Sequence, residues 1–385
     1  MIGRRLWGRW LVGFLCGSTL LLAGCADFFS KNGGGGGGGG GSVGSYTYVG
    51  TQTGTLVGYS VSSTGALATL SGSPNQFATA SINALAVTPS NAFLYAGVAG
   101  IGLYGLTINS GTGVTSLINT SALVQDIAPL AMTVDPSGKF LLVAGLASGV
   151  AAVGEYAINS DGTLSEVQGS PVSITFPSGT DTTNLAVTRI AVAPNSSYVF
   201  VTLGQLGVAP LPFNTSGGLS PNTQIIKPLT SSGIANQDLG VAVNAGSTAL
   251  FVGETNAGVR VFTIGSTFTE ISGSPFKAGS QPRSLAFDGT GDYLYSANGS
   301  DATISGYSVL ASGSLTALTG SPFSSVGSGP TALALDQSKK FLLSANLGGS
   351  PDVQLFSFDA TTAGKLDPGA TATNATSAVC IASTH

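Results

Sequence analysis

Hydrophobic and polar residues alternate in short blocks along most of this chain. The stretch from Pro282 to Phe323 shows the pattern most clearly, with strand-like runs at Ser284–Phe287, Tyr293–Ala297 and Thr303–Val309 and a weaker one at Leu315–Leu318. Clusters rich in Gly, Asp and Ser separate these runs. Short apolar runs bounded by turn-forming residues are typical of successive antiparallel strands. The stretch therefore predicts one four-stranded unit, and no convincing helical period appears beyond residue 45.

The same unit recurs through the chain, marked by a core triplet of an apolar, a small and another apolar residue. Start-to-start spacings run from 44 to 58 residues. This period, with four strands per unit, predicts an all-β, seven-bladed β-propeller of four-stranded antiparallel blades. We assign the triplet to the innermost strand, because blades converge at the axis and leave little room there. The triplets are Leu85-Ala86-Val87, Met132-Thr133-Val134, Ile190-Ala191-Val192, Val241-Ala242-Val243, Leu285-Ala286-Phe287, Leu333-Ala334-Leu335 and Val379-Cys380-Ile381.

The two ends of the propeller segment complement each other. Tyr46–Val49 resembles the second strand of a unit, whereas Ala378–Ala382 resembles the first. Pairing these segments would complete one blade from both ends of the chain and close the ring. Closure removes the exposed strand edges that promote association, so we predict a monomer.

Residues 1–44 read as an export and anchoring segment. Three arginines precede the apolar run Leu11–Leu22, and Leu22-Ala23-Gly24-Cys25 resembles the lipobox of bacterial lipoproteins. The resemblance implies a signal peptide over residues 1–24 and lipidation of Cys25, which would anchor the protein in a membrane. Residues 25–44, with nine consecutive glycines, predict a flexible tether, and residues 45–385 predict the propeller. The expected location is the cell envelope, at the periplasmic face of the outer membrane or the cell surface.

Charge is sparse and acidic. Charged residues make up 8% of the chain, and removal of the leader would reduce Lys+Arg from 13 to 10 against 17 acids, a net charge of about −7. This balance argues against nucleic-acid binding. The single histidine is the last residue, His385, so the sequence predicts no zinc or iron centre and no cofactor, while an all-oxygen calcium site stays open. Cys380 is expected to be a buried small residue without a disulfide partner.

Two recurring motifs predict structural turns. Asp135, Asp288 and Asp336 each follow an inner strand and are expected to begin hairpin turns. Two longer connections, residues 174–184 and 221–237, are the first candidates for functional loops. The second motif, Gly-Ser-Pro, is also expected to form turns, because Gly permits a turn and Pro fixes φ. It stands at residues 72–74, 169–171, 273–275 and 320–322.

The units resemble the lactonase-like seven-bladed propellers, which include propeller-type 6-phosphogluconolactonases and YVTN-repeat proteins. The resemblance rests on Pro282–Phe287, Leu294–Asn298, Gly306–Val309 and Gly320–Phe323. It implies that an inner strand opens with Pro-Arg-His, but Ser284 replaces the histidine here, and Arg189 falls on the equivalent column of another blade.

Opening a lactone requires a base to activate water and a cation to stabilise the oxyanion. The predicted catalytic set is Glu254 as the base, with Arg189 and Arg283 as the cations. Asp238 and Glu254 are expected on the fourth and fifth units at similar depths.

Three functions compatible with these features remain open. The first is a lipid-anchored propeller that binds an envelope protein or glycan, which fits the low charge, the tether and the missing histidine. The second is a lactonase that hydrolyses sugar lactones. The third is a structural component of the envelope.

Overall fold

The computed structural model describes residues 44–76, 78–216 and 218–385. The predicted signal peptide, Cys25 and the tether up to residue 43 lie outside the described residues. The described residues contain no helix, and thus no helical segment that could cross a bilayer.

The strands form seven four-stranded antiparallel blades in which the chain runs from the axis outward. Blades 2 to 7 follow in chain order, and blade 1 combines both chain ends. The inner strands of blades 1 to 7 are Ala378–Ser383, Ile82–Val87, Ala128–Val134, Leu185–Val192, Asp238–Val243, Pro282–Phe287 and Pro330–Leu335. The second strands are Ser45–Thr51, Phe93–Val98, Phe140–Ala147, Tyr198–Gly204, Ala249–Glu254, Tyr293–Asn298 and Phe341–Asn346. The third strands are Thr55–Val61, Gly102–Ile108, Val150–Ile158, Val208–Asn214, Gly258–Thr263, Thr303–Val309 and Val353–Phe358. The outer strands are Leu67–Thr69, Thr115–Leu117, Leu164–Glu166, Gly218–Leu219, Thr269–Glu270, Leu315–Ala317 and Leu366–Ala372.

Shorter strands lie beside this framework. Asn75–Gln76, Val172–Ser173 and Phe323–Ser324 return onto the third strands of blades 1, 3 and 6. Thr230–Ser231 and Ile234–Ala235 form a hairpin in the long connection between blades 4 and 5.

The predicted closure of the ring is confirmed. Ser45–Thr51 pairs antiparallel with Ala378–Ser383, so one blade is built from both ends of the propeller segment. The last residues are also held: Thr384 exchanges backbone and side-chain hydrogen bonds with Tyr46, and the backbone amide of His385 donates to Asn91. Closure removes the free sheet edge that both ends would otherwise expose.

The core lies between blades. Within the described residues the buried apolar side chains form seven clusters, and each cluster joins two neighbouring blades. Because both faces of a blade are covered, second strands such as Ala249–Glu254 and Phe341–Asn346 are buried along their whole length. This explains why these strands read as continuous apolar runs rather than as strict alternation.

Tyrosines on second strands fasten adjacent blades. The Tyr48 hydroxyl donates to the Gly113 carbonyl at 2.7 Å, and Tyr295 makes the same bond to Gly364 at 2.6 Å. Gly113 is needed at its turn because its φ is +70° and a Cβ there would lie 2.4 Å from the ring of Tyr46. These two buried tyrosine hydroxyls therefore find their partners across a blade interface rather than within one blade.

Both recurring motifs have structural roles, as predicted. The serine Oγ of each Gly-Ser-Pro accepts a hydrogen bond from the third strand of its own blade, at 2.7 to 3.1 Å. The carboxylates of Asp135, Asp288 and Asp336 accept backbone N–H groups of the turns that they begin. These interactions occupy the serines and aspartates in turn formation.

The register corrects one prediction from the repeat. Ile381 pairs with Val49 and Cys380 with Gly50, which places Ile381, not Val379, at the first position of the last triplet. The last triplet is therefore Ile381-Ala382-Ser383. Val379 lies in a bulge, and Val379-Cys380-Ile381 repeats the apolar, small, apolar pattern two residues too early, whereas the true triplet ends in the polar Ser383 and does not fit that pattern.

Candidate functional site

One layer of the axial channel contains a single long side chain. Strand register places one residue from each blade at the level just before the core triplet, and six of the seven are small. The exception is Arg189 in blade 4. Its guanidinium can extend across the channel because the small residues of the other blades leave that space unfilled. In the order of blades 1 to 7 the layer consists of Cys380, Ala84, Ala131, Arg189, Gly240, Ser284 and Ala332.

Arg189 spans the channel. Its Nη2 donates to the carbonyl of Thr331 in blade 7 at 2.5 Å, and its Nη1 donates to the Thr188 carbonyl at 3.0 Å. The surrounding cavity has a volume of about 180 Å³. Poor hydration in this narrow space lowers the pKa of the Arg189 guanidinium; the adjacent Cys380 thiol group opposes that shift and Arg283 adds to it.

Arg283 stands one position further toward the end of the channel where the inner strands begin, in the bulge between Pro282 and Ser284. Its Nε and Nη2 donate to Oε1 of Gln281 at 3.3 and 2.8 Å. Among the described residues no carboxylate lies within salt-bridge distance of Arg189 or Arg283. The structure thus brings the two predicted cations together, with N–H donors left for an anionic ligand.

Glu254 occupies a different environment. Its carboxylate is fully buried and accepts hydrogen bonds from Leu229 N at 3.0 Å, Asn236 Nδ2 at 2.9 Å and Arg260 Nη1 at 3.0 Å. Neither Arg189 nor Arg283 is among these partners. Its position at the end of the second strand corresponds to Asn298 and Asn346 in blades 6 and 7. Those asparagines are buried and hydrogen-bond the adjacent hairpins. In blades 5, 6 and 7 the residue at the end of the second strand therefore binds a neighbouring loop.

Asp238 faces Glu254 within blade 5, not from a separate unit as the sequence suggested. The two residues are direct partners on neighbouring antiparallel strands, which brings their side chains to the same face of the sheet. Asp238 is completely buried, and in the described structure neither carboxylate oxygen has a hydrogen-bond donor. Burial, and then the charge of Glu254, raise the pKa of Asp238 well above its usual range.

Sequence reasoning missed Arg260, which completes this charge cluster. Its guanidinium contacts Glu254 at 3.0 Å and Glu270 at 2.7 Å, and it lies 4.7 Å from the centre of the Phe262 ring. An available signal was its position between Val259 and Val261, because a charge inside an apolar strand requires a buried partner.

Cys380 and His385 offer no catalytic chemistry in this arrangement. Burial raises the pKa of the Cys380 thiol to about 12, and the thiol donates to the Ile82 carbonyl. The His385 ring lies against the Val87 carbonyl, and the residue is exposed at the end of the chain. Within the described parts of the chain, no group of three or more His, Cys, Asp or Glu side chains could hold a metal ion.

The two long connections lie side by side on the face where inner strands begin. Thr175 N donates to Asn222 Oδ1 at 2.9 Å, and Asn222 Nδ2 donates back to the Thr175 carbonyl at 2.9 Å. Asn222 is buried, whereas Asp181 and Ile234 further along the two connections are exposed. The connections therefore form one joint surface beside the channel, instead of two separate loops.

A family model described as "Lactonase, 7-bladed beta-propeller" matches residues 41–383. The chain belongs to this lactonase family.

Solved structures agree with this family's fold. A candidate 6-phosphogluconolactonase from Bacteroides fragilis superposes with a TM-score of 0.69 at 18% identity, covering 89% of this chain and 99% of that one. A periplasmic gluconolactonase from Pseudomonas aeruginosa gives a TM-score of 0.62 at 17% identity, with 89% and 99% covered. A protein from Lactobacillus plantarum gives 0.66 at 17% identity, with 89% and 100% covered. No curated protein sequence matches this chain significantly. At these identities the likeness establishes the fold alone.

Proposed function

We propose that this lactonase-family propeller binds lactones of acidic sugars at the channel end bearing Arg283, and hydrolyses them. The observation that supports the proposal is the pairing of Arg189 and Arg283 without a carboxylate partner among the described residues. The charge of Arg283 disfavours that of the poorly hydrated Arg189, and an anion bound near both guanidiniums would relieve that repulsion. The acid group of a sugar, or the oxyanion formed when its lactone ring opens, supplies such a charge.

Each arginine has a distinct part in this proposal. Arg283 is half-buried, and among the described residues its guanidinium hydrogen-bonds Gln281 alone, so it can turn toward a ligand. Arg189 is fixed by two backbone carbonyls and forms a rigid positive floor. Glu254 is the proposed base. Because Leu229, Asn236 and Arg260 enclose its carboxylate, the 221–237 connection must open to admit the substrate and the attacking water.

The test is lactone hydrolysis by the purified protein, with 6-phosphogluconolactone and a panel of uncharged lactones. Replacing Arg283 by Met keeps most of the side-chain volume but removes the charge, and we expect a loss of about 100-fold in kcat/KM. Arg283→Lys should retain part of the activity, and Glu254→Gln should abolish turnover while leaving product binding intact. Lys277→Met is the control, because Lys277 is an exposed cation before the same inner strand. Turnover unaffected by both Arg283→Met and Glu254→Gln would refute the proposed site.

Binding of an envelope protein or glycan is the second candidate, and the exposed joint surface of residues 174–184 and 221–237 favours it. If no lactone is hydrolysed, a partner retained by the intact protein and lost when Ile234 is changed to Asp would support this function. Ile234 is the test position because its side chain is 65% exposed at the hairpin.

Lipid anchoring at Cys25 is also part of the proposed biology. Its support is the lipobox-like Leu22-Ala23-Gly24-Cys25 and the glycine-rich segment that follows. Cells expressing the full chain should incorporate labelled fatty acid into this protein, and Cys25→Ser should abolish incorporation. Equal labelling of both forms would exclude Cys25 as the lipidated residue.

A further inference from the structure

Residues 221–237, which we term the strap, contact the propeller through Asn222 and Ile226 near their start. From Lys227 onward, two charged side chains of blade 5 hold the strap. Glu254 Oε1 accepts hydrogen bonds from the Leu229 amide and from Asn236 Nδ2, near the two ends of the strap hairpin. Arg260 Nη1 donates to the Lys227 carbonyl at 2.9 Å. Since Glu254 and Arg260 also pair with each other at 3.0 Å, all three anchors depend on one buried ion pair.

The strap ends directly at the unpartnered Asp238. Its carboxyl faces Glu254 across the strand pair, and a negative charge on Asp238 would be strongly repelled by that of Glu254. The charged groups packed around this pair are Arg260 on the third strand and Glu270 on the outer strand. Arg260 is already committed to Glu254, Glu270 and Lys227.

Within the described residues, no other strand supplies a compensating donor to this carboxyl. From blade 4, the Thr188 hydroxyl donates to the backbone carbonyl of Asp238, not to its carboxylate. The carboxyl is therefore neutral while the strap is closed, because burial and the facing Glu254 disfavour its charge. If that proton leaves for solvent, two buried negative charges face each other beside a single arginine. Movement of the strap is the most direct way to let water reach them, because the strap contacts Glu254.

We propose that the strap is a pH-operated cover over Glu254, closed while Asp238 keeps its proton and opened when Asp238 releases it. The direction follows from the acid itself: the closed form binds the proton more tightly than the open form, so rising pH favours opening. The switch would regulate access to Glu254 on the proposed substrate-binding face. It does not depend on lactone hydrolysis, because it can be observed without any substrate.

Hydrogen exchange of the strap amides tests this proposal. Exchange of a peptide containing Leu229–Asn236 is measured by mass spectrometry and divided by the intrinsic chemical rate at each pH, which gives a protection factor. We expect protection to fall by about tenfold or more between about pH 6 and about pH 9 in the unmodified protein. In Asp238→Asn the amide donates to Glu254 at every pH, so protection should stay constant within about twofold.

Glu155→Gln is the matched control. Glu155 is another buried acid with one unpartnered oxygen, and burial raises its pKa, but it holds the Leu219 amide of blade 4 and not the strap. It should leave the pH response of the strap unchanged. Protection that is flat with pH in the unmodified protein would overturn the proposal, and so would an equally steep fall in Asp238→Asn.

Discussion

Removing Arg260 should destabilise the propeller far more than removing another lysine or arginine that contacts two acids. In Arg260→Leu the apolar stem remains, but Glu254 loses its only cation within the described residues while staying fully buried. The variant also loses the bonds to Glu270 and to the Lys227 carbonyl and the contact with Phe262. Leaving one partner of a buried ion pair uncompensated costs about 3–5 kcal/mol of unfolding free energy.

The assay is urea denaturation followed by circular dichroism, with Lys365→Leu as the control. Lys365 also contacts two carboxylates at 2.7 Å, those of Asp359 and Asp367, but its side chain is 36% exposed and water solvates the acids that remain. Lys365→Leu should therefore have a small effect. Adding Glu254→Gln to Arg260→Leu should recover part of the loss, because it removes the unpaired charge. A loss below about 1 kcal/mol in Arg260→Leu, or equal losses in both single variants, would refute the reasoning.

Three further outcomes follow from the blade contacts and the buried groups. Tyr295→Phe removes the hydroxyl bonded to the Gly364 carbonyl and should cost about 1 kcal/mol in the same denaturation assay, whereas an unchanged midpoint would show that this bond contributes nothing. Asp238→Asn should raise the free energy of unfolding at neutral pH, because the folded state no longer has to hold a proton that the unfolded chain releases. The gain should shrink as pH falls toward the ordinary pKa of an aspartate, and a gain that is constant with pH would contradict this linkage. Cys380, whose pKa is raised to about 12, should resist iodoacetamide at about pH 8 in the folded protein and react after denaturation, and rapid labelling of the folded form would show that the thiol is accessible.

The sequence was sufficient to predict the architecture, because repetition exposes the same physical requirement seven times. In the unit between Pro282 and Phe323, apolar runs and nearby turn residues define each strand. The structure confirms the predicted strand boundaries there to within two residues. Closure was also predictable. Tyr46–Val49 resembles a second strand and Ala378–Ala382 a first strand, and pairing them leaves neither segment with an unpaired edge.

The site was only partly predictable. The Arg189 column and the Pro282-Arg283 motif could be read from the repeat, and the structure places Arg189 in the channel and Arg283 in the bulge at the start of an inner strand. The sequence could not show that Glu254 bonds to the strap, because its partners Leu229, Asn236 and Arg260 are brought together by strand pairing and a long connection. The last triplet was placed two residues too early, because Val379-Cys380-Ile381 fits the apolar, small, apolar pattern and Ile381-Ala382-Ser383 does not.

Local patterns by themselves thus determined the strands, the seven blades and the closed ring, because hydrophobic periodicity and turn chemistry act over a few neighbouring residues. Tertiary structure alone decided which of the few charges meet. Arg189 and Thr331 lie 142 positions apart and touch across the axis, while Asp238 and Glu254 become a facing acid pair through their register. In a chain with so few charges, these encounters set the electrostatics of the molecule, because a buried charge acts strongly only on the groups that the fold places beside it.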